Sequence, residues 1–252
     1  MKMDEIMVKN VNIPSGKDCL KGRIYLPNNN GAHPTIAICH GYPGDTKNMD
    51  LAEELAFNGY VTLIFFYKGG WGSAGNWSFS NLDPSTIDAI SYLKRLPYVN
   101  PERIGLISHS MGALPLTKRL AEDEKLKTGV LVSPAADLSL WIREETIDTM
   151  VPIFLHMAEG KLKGLNEESL RIGMKKARKE LNPKDNIKKV NRPVMIIVGS
   201  NDQVTSPKSC RELFEEANEP KVYIEVEHAD HGFSEHRYQL MNHVLEWLKE
   251  QL

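Results

Sequence analysis

Three side chains in this sequence have the types and the order that nucleophilic acyl transfer requires, and Ser110 is the first. It lies in Ser108-His-Ser-Met-Gly112, directly after the apolar segment 104–107. A small-x-Ser-x-Gly turn between a strand and a helix holds its serine in a strained, exposed position. Ser108 replaces the usual first glycine, and serine is the next-smallest polar residue. Ser110 is therefore a candidate nucleophile, although alone it could be an ordinary helix N-cap.

Asp202 and His231 are the candidate acid and base. Each follows an apolar segment typical of a buried strand, 193–198 for the aspartate and 221–226 for the histidine. In a catalytic triad the histidine accepts the serine proton, while the acid accepts a hydrogen bond from the histidine Nδ1–H. Asp230 adjoins His231 in sequence and is expected to point away from its ring. The sequence therefore favours Asp202 as the acid.

Two nearby histidines, His228 and His236, raise the alternative of a metal site. Neither forms a pair with His231 at the helical i, i+4 spacing, with a carboxylate helper, that metal-binding helices use. Gly232 and Phe233 follow His231 on a predicted loop between a strand and a helix, from which the ring can reach a serine. We therefore expect His231 to be the base, with neither a metal nor another cofactor.

The segment His40-Gly-Tyr-Pro-Gly44 follows another short apolar segment and predicts part of an oxyanion hole. A hydrolase needs at least two N–H donors directed at the developing negative charge. The residue after the nucleophile supplies one, and a loop after a neighbouring strand supplies the other. These donors would be the amides of Met111 and Tyr42. Pro43 has no N–H, which favours Tyr42 as the donor; in isolation the segment could equally be a plain strand-to-helix turn.

The order Ser110, Asp202, His231, with each residue after a predicted strand, is the order of α/β-hydrolases rather than of chymotrypsin-like or subtilisin-like enzymes. With segments 40–44 and 66–75, most of the chain resembles acylaminoacyl-peptidase-like and cinnamoyl- or feruloyl-esterase-like catalytic domains. The resemblance implies the following roles: nucleophile Ser110, base His231, acid Asp202, and oxyanion amides on Tyr42 and Met111.

Two further positions differ from those families and bear on the substrate. Lys68 stands where arginine is frequent, and Tyr42 stands where the peptidase branch usually has glycine, so a phenol is expected to overhang the acyl site. We expect a serine hydrolase that cleaves small to medium carboxylic esters, including aromatic ones, through an acyl-enzyme. The alternatives within the same fold are an acylaminoacyl or dipeptidyl-type peptidase and a thioesterase. A catalytically inactive binding module of the same fold is the alternative of another class.

Alternating strand and helix patterns predict a mostly parallel, eight-stranded α/β-hydrolase sheet flanked by helices. The short turn Pro14-Ser-Gly16 predicts an antiparallel edge, because no crossover helix fits there. The predicted strands are 6–13, 20–26, 35–39, 61–66, 103–108, 128–132, 193–198 and 221–226, and the predicted helices are 47–58, 84–95, 111–122, 207–217 and 235–251.

The predicted alternation is interrupted between 132 and 193, where a single helix would suffice. We predict a helical cap at 137–187, between strands 6 and 7, with the hydrolase core formed by 1–136 and 188–252. In the esterases that the chain resembles, an insertion at this point covers the active site. The candidate pocket residues are Trp71, Trp141 and Phe154, although Trp71 could instead anchor the glycine-rich loop 67–80.

Composition fits a globular enzyme. The 252 residues are 41% hydrophobic and 25% charged, with a net charge of −2. The sequence has no basic stripe that would indicate nucleic-acid binding, and it has no apolar segment long enough to span a membrane. The three scattered cysteines fit a reducing compartment, and we expect a cytoplasmic protein. Its expected partner is a small-molecule ester, and the sequence leaves a homodimer open.

Overall fold

The computed structural model describes residues 5–44 and 47–252, which include an eight-stranded sheet. The strands lie side by side in the order β1-β2-β4-β3-β5-β6-β7-β8. In chain order they are β1 (Ile6–Ser15), β2 (Asp18–Pro27), β3 (His33–Cys39), β4 (Val61–Phe65), β5 (Val99–His109), β6 (Leu126–Val132), β7 (Val194–Gly199) and β8 (Lys221–Val226).

The sheet is antiparallel at one edge and parallel elsewhere, as predicted. β1 pairs with β2 through a tight hairpin in which Ser15 is opposite Asp18, and Gly16 takes a positive φ of 58°. β2 then pairs with β4 in the antiparallel sense, whereas the pairs from β4 through β3 to β8 are parallel. β4 and β7 are buried along their whole length, which explains their continuous apolar sequences.

The helices cover both faces of the sheet. They are α1 (Met49–Phe57), α2 (Leu82–Leu93), α3 (Ala113–Glu122), α4 (Glu144–Ala158), α5 (Glu167–Glu180), α6 (Pro183–Asn186), α7 (Pro207–Glu216) and α8 (Arg237–Gln251). Side chains along β3 alternate between two cores: Ile36 and Ile38 pack with α1 and α8, whereas Ala37 and Cys39 pack with α2 and α3. This alternation is the period-two pattern of a strand that is buried on both faces.

Helices α4 and α5, together called the cap helices below, lie in the long connection between β6 and β7. Ile147 and Val151 of α4 are buried in the same core as α2 and α3, and so are Leu170 and Met174 of α5. The Asn166 side chain caps α5 by accepting a hydrogen bond of 2.8 Å from the Ser169 amide. In the part of the chain that the structure describes, no helix is both long and apolar enough to cross a membrane.

One predicted helix boundary is wrong in a way that matters for the site. The sequence pattern predicted a helix from residue 111, but a 3-10 turn covers Ser110–Gly112 and α3 begins at Ala113. Ser110 has a positive φ of 55°, which a regular helix does not allow. The tight turn separates the end of β5 from α3 and leaves the serine at the carboxyl end of the sheet.

Candidate active site

Small residues allow the turn around Ser110 to form. A Cβ atom on Gly112 would lie 2.0 Å from the carbonyl oxygen of Cys39, so this position accepts only glycine. A Cβ atom on Gly41 would lie 3.1 Å from the Ser110 Cβ, which brings the loop after β3 close to the serine. The positive φ at a serine is a strained conformation of the kind that occurs at active sites. The turn therefore has the geometry predicted for a nucleophile.

His231 and Asp202 are in direct contact. Nδ1 of His231 lies 2.9 Å from Oδ2 and 3.1 Å from Oδ1 of Asp202. Asp202 follows β7 and His231 follows β8, so adjacent parallel strands bring the two side chains to the same edge of the sheet. A carboxylate at Nδ1 fixes the histidine tautomer with its proton on Nδ1, which leaves Nε2 able to accept a proton.

The Asp202 carboxylate accepts hydrogen bonds at both oxygens. The Val204 and Thr205 amides each donate to Oδ1 at 2.8 Å, and the Thr205 hydroxyl donates to Oδ2 at 2.8 Å. Burial raises the pKa of Asp202, but hydrogen bonds from His231 and the Thr205 amide outweigh it and lower the pKa to about 2. The acid is therefore ionised at neutral pH and can stabilise a protonated His231.

Thr205 also joins the acid to the loop after β6. Its hydroxyl oxygen lies 3.1 Å from the Ser133 carbonyl oxygen and 3.3 Å from Nδ1 of His231. Two residues further along, the Ala135 amide donates a hydrogen bond of 3.0 Å to the Ser110 carbonyl. The loop after β6 thus contacts both the serine turn and the acid. A threonine near Asp202 is the only signal of this contribution in the sequence.

The other titratable groups near His231 have different surroundings. His228 is exposed beside Glu227, and Asp230 accepts hydrogen bonds from the Gly232 and Ser234 amides in its own turn. His109 supports the base instead: its Nε2 lies 2.9 Å from the His231 carbonyl oxygen, and the two rings are 4.8 Å apart. The contacts therefore favour His231 over His228 as the partner of Asp202.

Ser110 opens into a cavity of about 370 Å³ beneath the cap helices. The two residues predicted to supply oxyanion amides, Tyr42 and Met111, lie on its wall, as do the predicted pocket residues Trp141 and Phe154. The described residues of the wall are Tyr42, Phe79, Ser110, Met111, Ala135, Leu138, Trp141, Ile142, Met150, Ile153, Phe154, Met157, Met174 and Val204. Among these described residues no side chain is charged.

Trp71 is not on the cavity wall, so its prediction as a pocket residue is wrong. Its indole N–H donates a hydrogen bond of 3.0 Å to the Pro43 carbonyl, and its ring stacks on Phe66 with centroids 5.7 Å apart. Its backbone N–H donates to the Lys161 carbonyl at 3.2 Å. Trp71 therefore anchors the glycine-rich loop to the loop after β3 and to the turn between the cap helices, which was the alternative interpretation.

Tyr42 connects the loop after β3 to the cap helix α4. Its hydroxyl donates a hydrogen bond of 2.7 Å to the Phe154 carbonyl in α4, and the two rings are 4.6 Å apart. Burial raises the pKa of the Tyr42 phenol, which therefore stays protonated and able to donate. The edge of the Trp77 ring contacts the same phenol, with centroids 5.2 Å apart. The Tyr42 side chain thus lines the cavity beside Ser110, with its polar end bound to α4.

Known proteins resemble this chain in sequence and in fold. The model of the prolyl oligopeptidase family, Peptidase S9, matches residues 64–252. An uncharacterised protein of Mycobacterium tuberculosis is 25% identical over 239 residues, which cover 87% of this chain and 74% of that protein.

Two solved structures share the fold. Est1E from Butyrivibrio proteoclasticus with bound ferulic acid superposes with a TM-score of 0.77 at 20% identity, covering 96% of this chain and 98% of that one. The acylaminoacyl peptidase of Pyrococcus horikoshii superposes with a TM-score of 0.75 at 18% identity and covers 100% of this chain, but only 43% of the peptidase is matched.

Proposed function

Because the chain belongs to the prolyl oligopeptidase family of serine hydrolases, we propose that it is a carboxylesterase that cleaves small to medium esters through an acyl-enzyme. Ser110 is the nucleophile, His231 the base and Asp202 the acid of this proposal. The observation that carries it is the contact between His231 and Asp202, 2.9 Å from nitrogen to oxygen, in the loops that follow β7 and β8.

In the proposed mechanism, Nε2 of His231 takes the proton from Ser110 while Oγ attacks the ester carbonyl carbon. The carbonyl oxygen becomes an oxyanion, which the amides of Tyr42 and Met111 stabilise. The tetrahedral intermediate collapses, the bond to the alcohol oxygen breaks, and His231 gives its proton to that oxygen. Water then attacks the acyl-enzyme with His231 as base again, which releases the carboxylic acid and restores Ser110.

The cavity supports an ester rather than a peptide as substrate. A peptidase that binds a free N-terminus needs a negative side chain near the ammonium group, and the described residues on the cavity wall include none. A peptide backbone also needs hydrogen-bond partners, but the Tyr42 hydroxyl already donates to Phe154. An ester with a neutral acyl group leaves fewer polar groups unpaired in this cavity.

The contacts around the acid argue against a catalytically inactive binding module. Asp202 is only 4% exposed, and its carboxylate receives hydrogen bonds from His231, Thr205 and the Val204 amide. Burying an ionised carboxylate costs free energy unless it is paired in this way. Binding alone gives no physical reason to keep such a pair beside a strained serine.

The proposal is tested with matched substrates that differ only in the scissile bond. We expect p-nitrophenyl butyrate to be hydrolysed with a kcat/KM at least about 10³-fold above that of butyryl-p-nitroanilide, because the amide leaving group needs tighter positioning. Alanine p-nitroanilide, which carries a free ammonium group, should react more slowly still. Equal or faster cleavage of the anilides would contradict the carboxylesterase proposal and favour a peptidase.

A further inference from the structure

The cavity beside Ser110 is suited to bind the acyl half of the ester, which would make this half the part that determines specificity. We propose that this half is an unbranched, saturated chain of about eight to ten carbons without a charged or hydroxylated end. The inference rests on the proposed carboxylesterase function and adds the chemical class of the acyl group.

The position of the base decides which half of the ester enters the cavity. His231 must donate its proton to the leaving oxygen, so the alcohol departs on the side of the histidine. His231 is not on the cavity wall, whereas Ser110 and the two proposed oxyanion residues, Tyr42 and Met111, are. The alcohol therefore faces the outside of the cavity, and the acyl chain extends into it.

The polarity of the wall decides the chemistry of the chain. Besides Ser110, only Tyr42 and Trp141 among the described wall residues carry a polar group on the side chain. The Tyr42 hydroxyl donates to the Phe154 carbonyl, so it has no further proton to offer. A carboxylate or an ammonium group at the end of the acyl chain would exchange its water for at most one neutral partner, the Trp141 indole N–H or the Tyr42 oxygen, which costs free energy.

The wall contains side chains that can adapt to a flexible chain. Four methionines line the cavity, namely Met111, Met150, Met157 and Met174. Methionine side chains have three rotatable bonds and adapt to an irregular apolar ligand. Two of the four come from the cap helix α4 and one from α5, so the cap supplies most of this adaptable surface.

The volume of the cavity sets the length of the chain. A volume of 370 Å³ holds about twelve groups the size of a water molecule, and a methylene group is of similar size. The ester carbonyl and imperfect filling use part of this space, which leaves room for about eight to ten carbons. Ile153 and Val204 on the wall are 48% and 57% exposed, so the cavity opens to water and cannot enclose a longer chain.

The test is a series of p-nitrophenyl esters with acetyl, butyryl, hexanoyl, octanoyl, decanoyl, lauroyl and palmitoyl groups. Because the leaving group is constant, only the acyl chain changes. We expect kcat/KM to rise by about two- to fourfold per methylene up to octanoyl or decanoyl and to rise no further beyond decanoyl. The p-nitrophenyl monoester of suberic acid, with a carboxylate at the chain end, should react at least about 100-fold more slowly than the octanoyl ester.

The outcomes separate this inference from the proposed function. Serine-dependent turnover of the acetyl ester with a flat or falling profile along the series would overturn the acyl-chain inference alone. A suberate monoester as good as the octanoyl ester would also overturn it. Absence of turnover for every ester in the series would overturn the carboxylesterase proposal itself.

A pair of variants on one helix tests whether the cavity causes the preference. Met174→Phe narrows the cavity from α5 and should move the optimum to butyryl or hexanoyl. Ile172→Phe adds the same ring to the same helix at a position that is 60% exposed and off the wall, and the profile should be unchanged. If Met174→Phe does not fold, Met150→Phe on α4 makes the equivalent change. An unshifted optimum in a folded cavity variant would contradict the inference.

Discussion

Two regions of the molecule differ in polarity: the loops at the carboxyl ends of the strands are rich in hydrogen bonds, whereas the cavity beneath the cap helices is apolar. At the strand ends, both oxygens of the buried Asp202 carboxylate accept hydrogen bonds, and His231 is fixed by its contact with that carboxylate. Beneath the cap, the described wall residues are almost entirely apolar and none is charged. Under the proposed function, the strand-end loops carry out the reaction, whereas the cap selects the substrate.

Tyr42 belongs to both regions. Its backbone amide is the proposed oxyanion donor after β3, while its hydroxyl is bonded to the Phe154 carbonyl in α4. Trp71 makes a second connection, because it bonds to the Pro43 carbonyl through its side chain and to the turn after α4 through its backbone. The cap is therefore tied to the loop that is expected to stabilise the oxyanion.

The largest effect on activity is expected for substitutions that remove a proposed catalytic group and leave the fold intact. Ser110→Ala and His231→Ala should each lower kcat for p-nitrophenyl acetate by about 10⁴- to 10⁶-fold, because the serine and the base act as one unit. The melting temperature should stay within a few degrees of the parent protein. His228→Ala, at an exposed histidine beside Glu227, is the control and should retain full activity. Substantial turnover by either catalytic variant would refute the assignment.

Replacing the acid should have the next largest effect. Asp202→Asn keeps the size of the side chain but removes the charge that fixes the His231 tautomer, so kcat should fall by about 10³- to 10⁴-fold. The ratio of kcat/KM for octanoyl and acetyl esters should not change, because the cavity wall is untouched. A changed ratio would show that the two regions are not independent, and full activity would place the acid elsewhere.

The strand-end region should also weaken in acid. The folded pKa of Asp202, about 2, lies below the value of about 3.9 in an unfolded chain. Its contribution to stability is therefore fully present above about pH 4 and is lost as the pH falls through 2. We expect this contribution to be about 2 to 3 kcal/mol.

The measurement is denaturant unfolding of the parent protein and of Asp202→Asn at neutral pH and at pH values down to 2. The parent protein should lose more of its free energy of unfolding than the variant does. Identical losses in the two proteins would mean that the Asp202 carboxylate is not stabilised in the folded state.

The smallest effect is expected at the connection between the regions. Tyr42→Phe keeps the ring and the backbone amide but removes the hydrogen bond to the Phe154 carbonyl. We expect kcat/KM to fall by about two- to tenfold for octanoyl esters, consistent with the loss of one hydrogen bond of about 1 kcal/mol, and to change less for acetyl esters. A greater loss on acetyl than on octanoyl esters would indicate that the hydroxyl acts on the reaction itself.

The sequence predicted the strand-end region better than the cap. The glycines at 41 and 112 and the apolar segments of strand length are local signals. Each catalytic candidate comes a few residues after one of the apolar segments. Chain order then placed the three candidates at one edge of a parallel sheet. The fold class and the antiparallel edge followed from the same local signals, and the structure agrees with both.

The side chains that line the cavity beneath the cap helices could not be predicted in the same way, because they meet through packing between distant segments. Trp71 lies in a glycine-rich segment and Trp141 in an apolar one, but neither pattern shows that, of the two, Trp141 reaches the cavity. The role of Thr205 depends on a contact with Ser133, which is 72 residues away in the chain. The methionines of the wall come from three separate segments, and no periodicity within one segment reveals a shared cavity.

Labelling with a small fluorophosphonate tests the central assignment most directly, because such a probe reacts with an activated serine whatever the natural substrate. After incubation of the intact protein, mass spectrometry of the whole chain and of its peptides should show one phosphonyl adduct, located on Ser110. The adduct should be absent in Ser110→Ala and strongly slowed in His231→Ala. An unlabelled protein, or an adduct on a serine other than Ser110, would contradict the account.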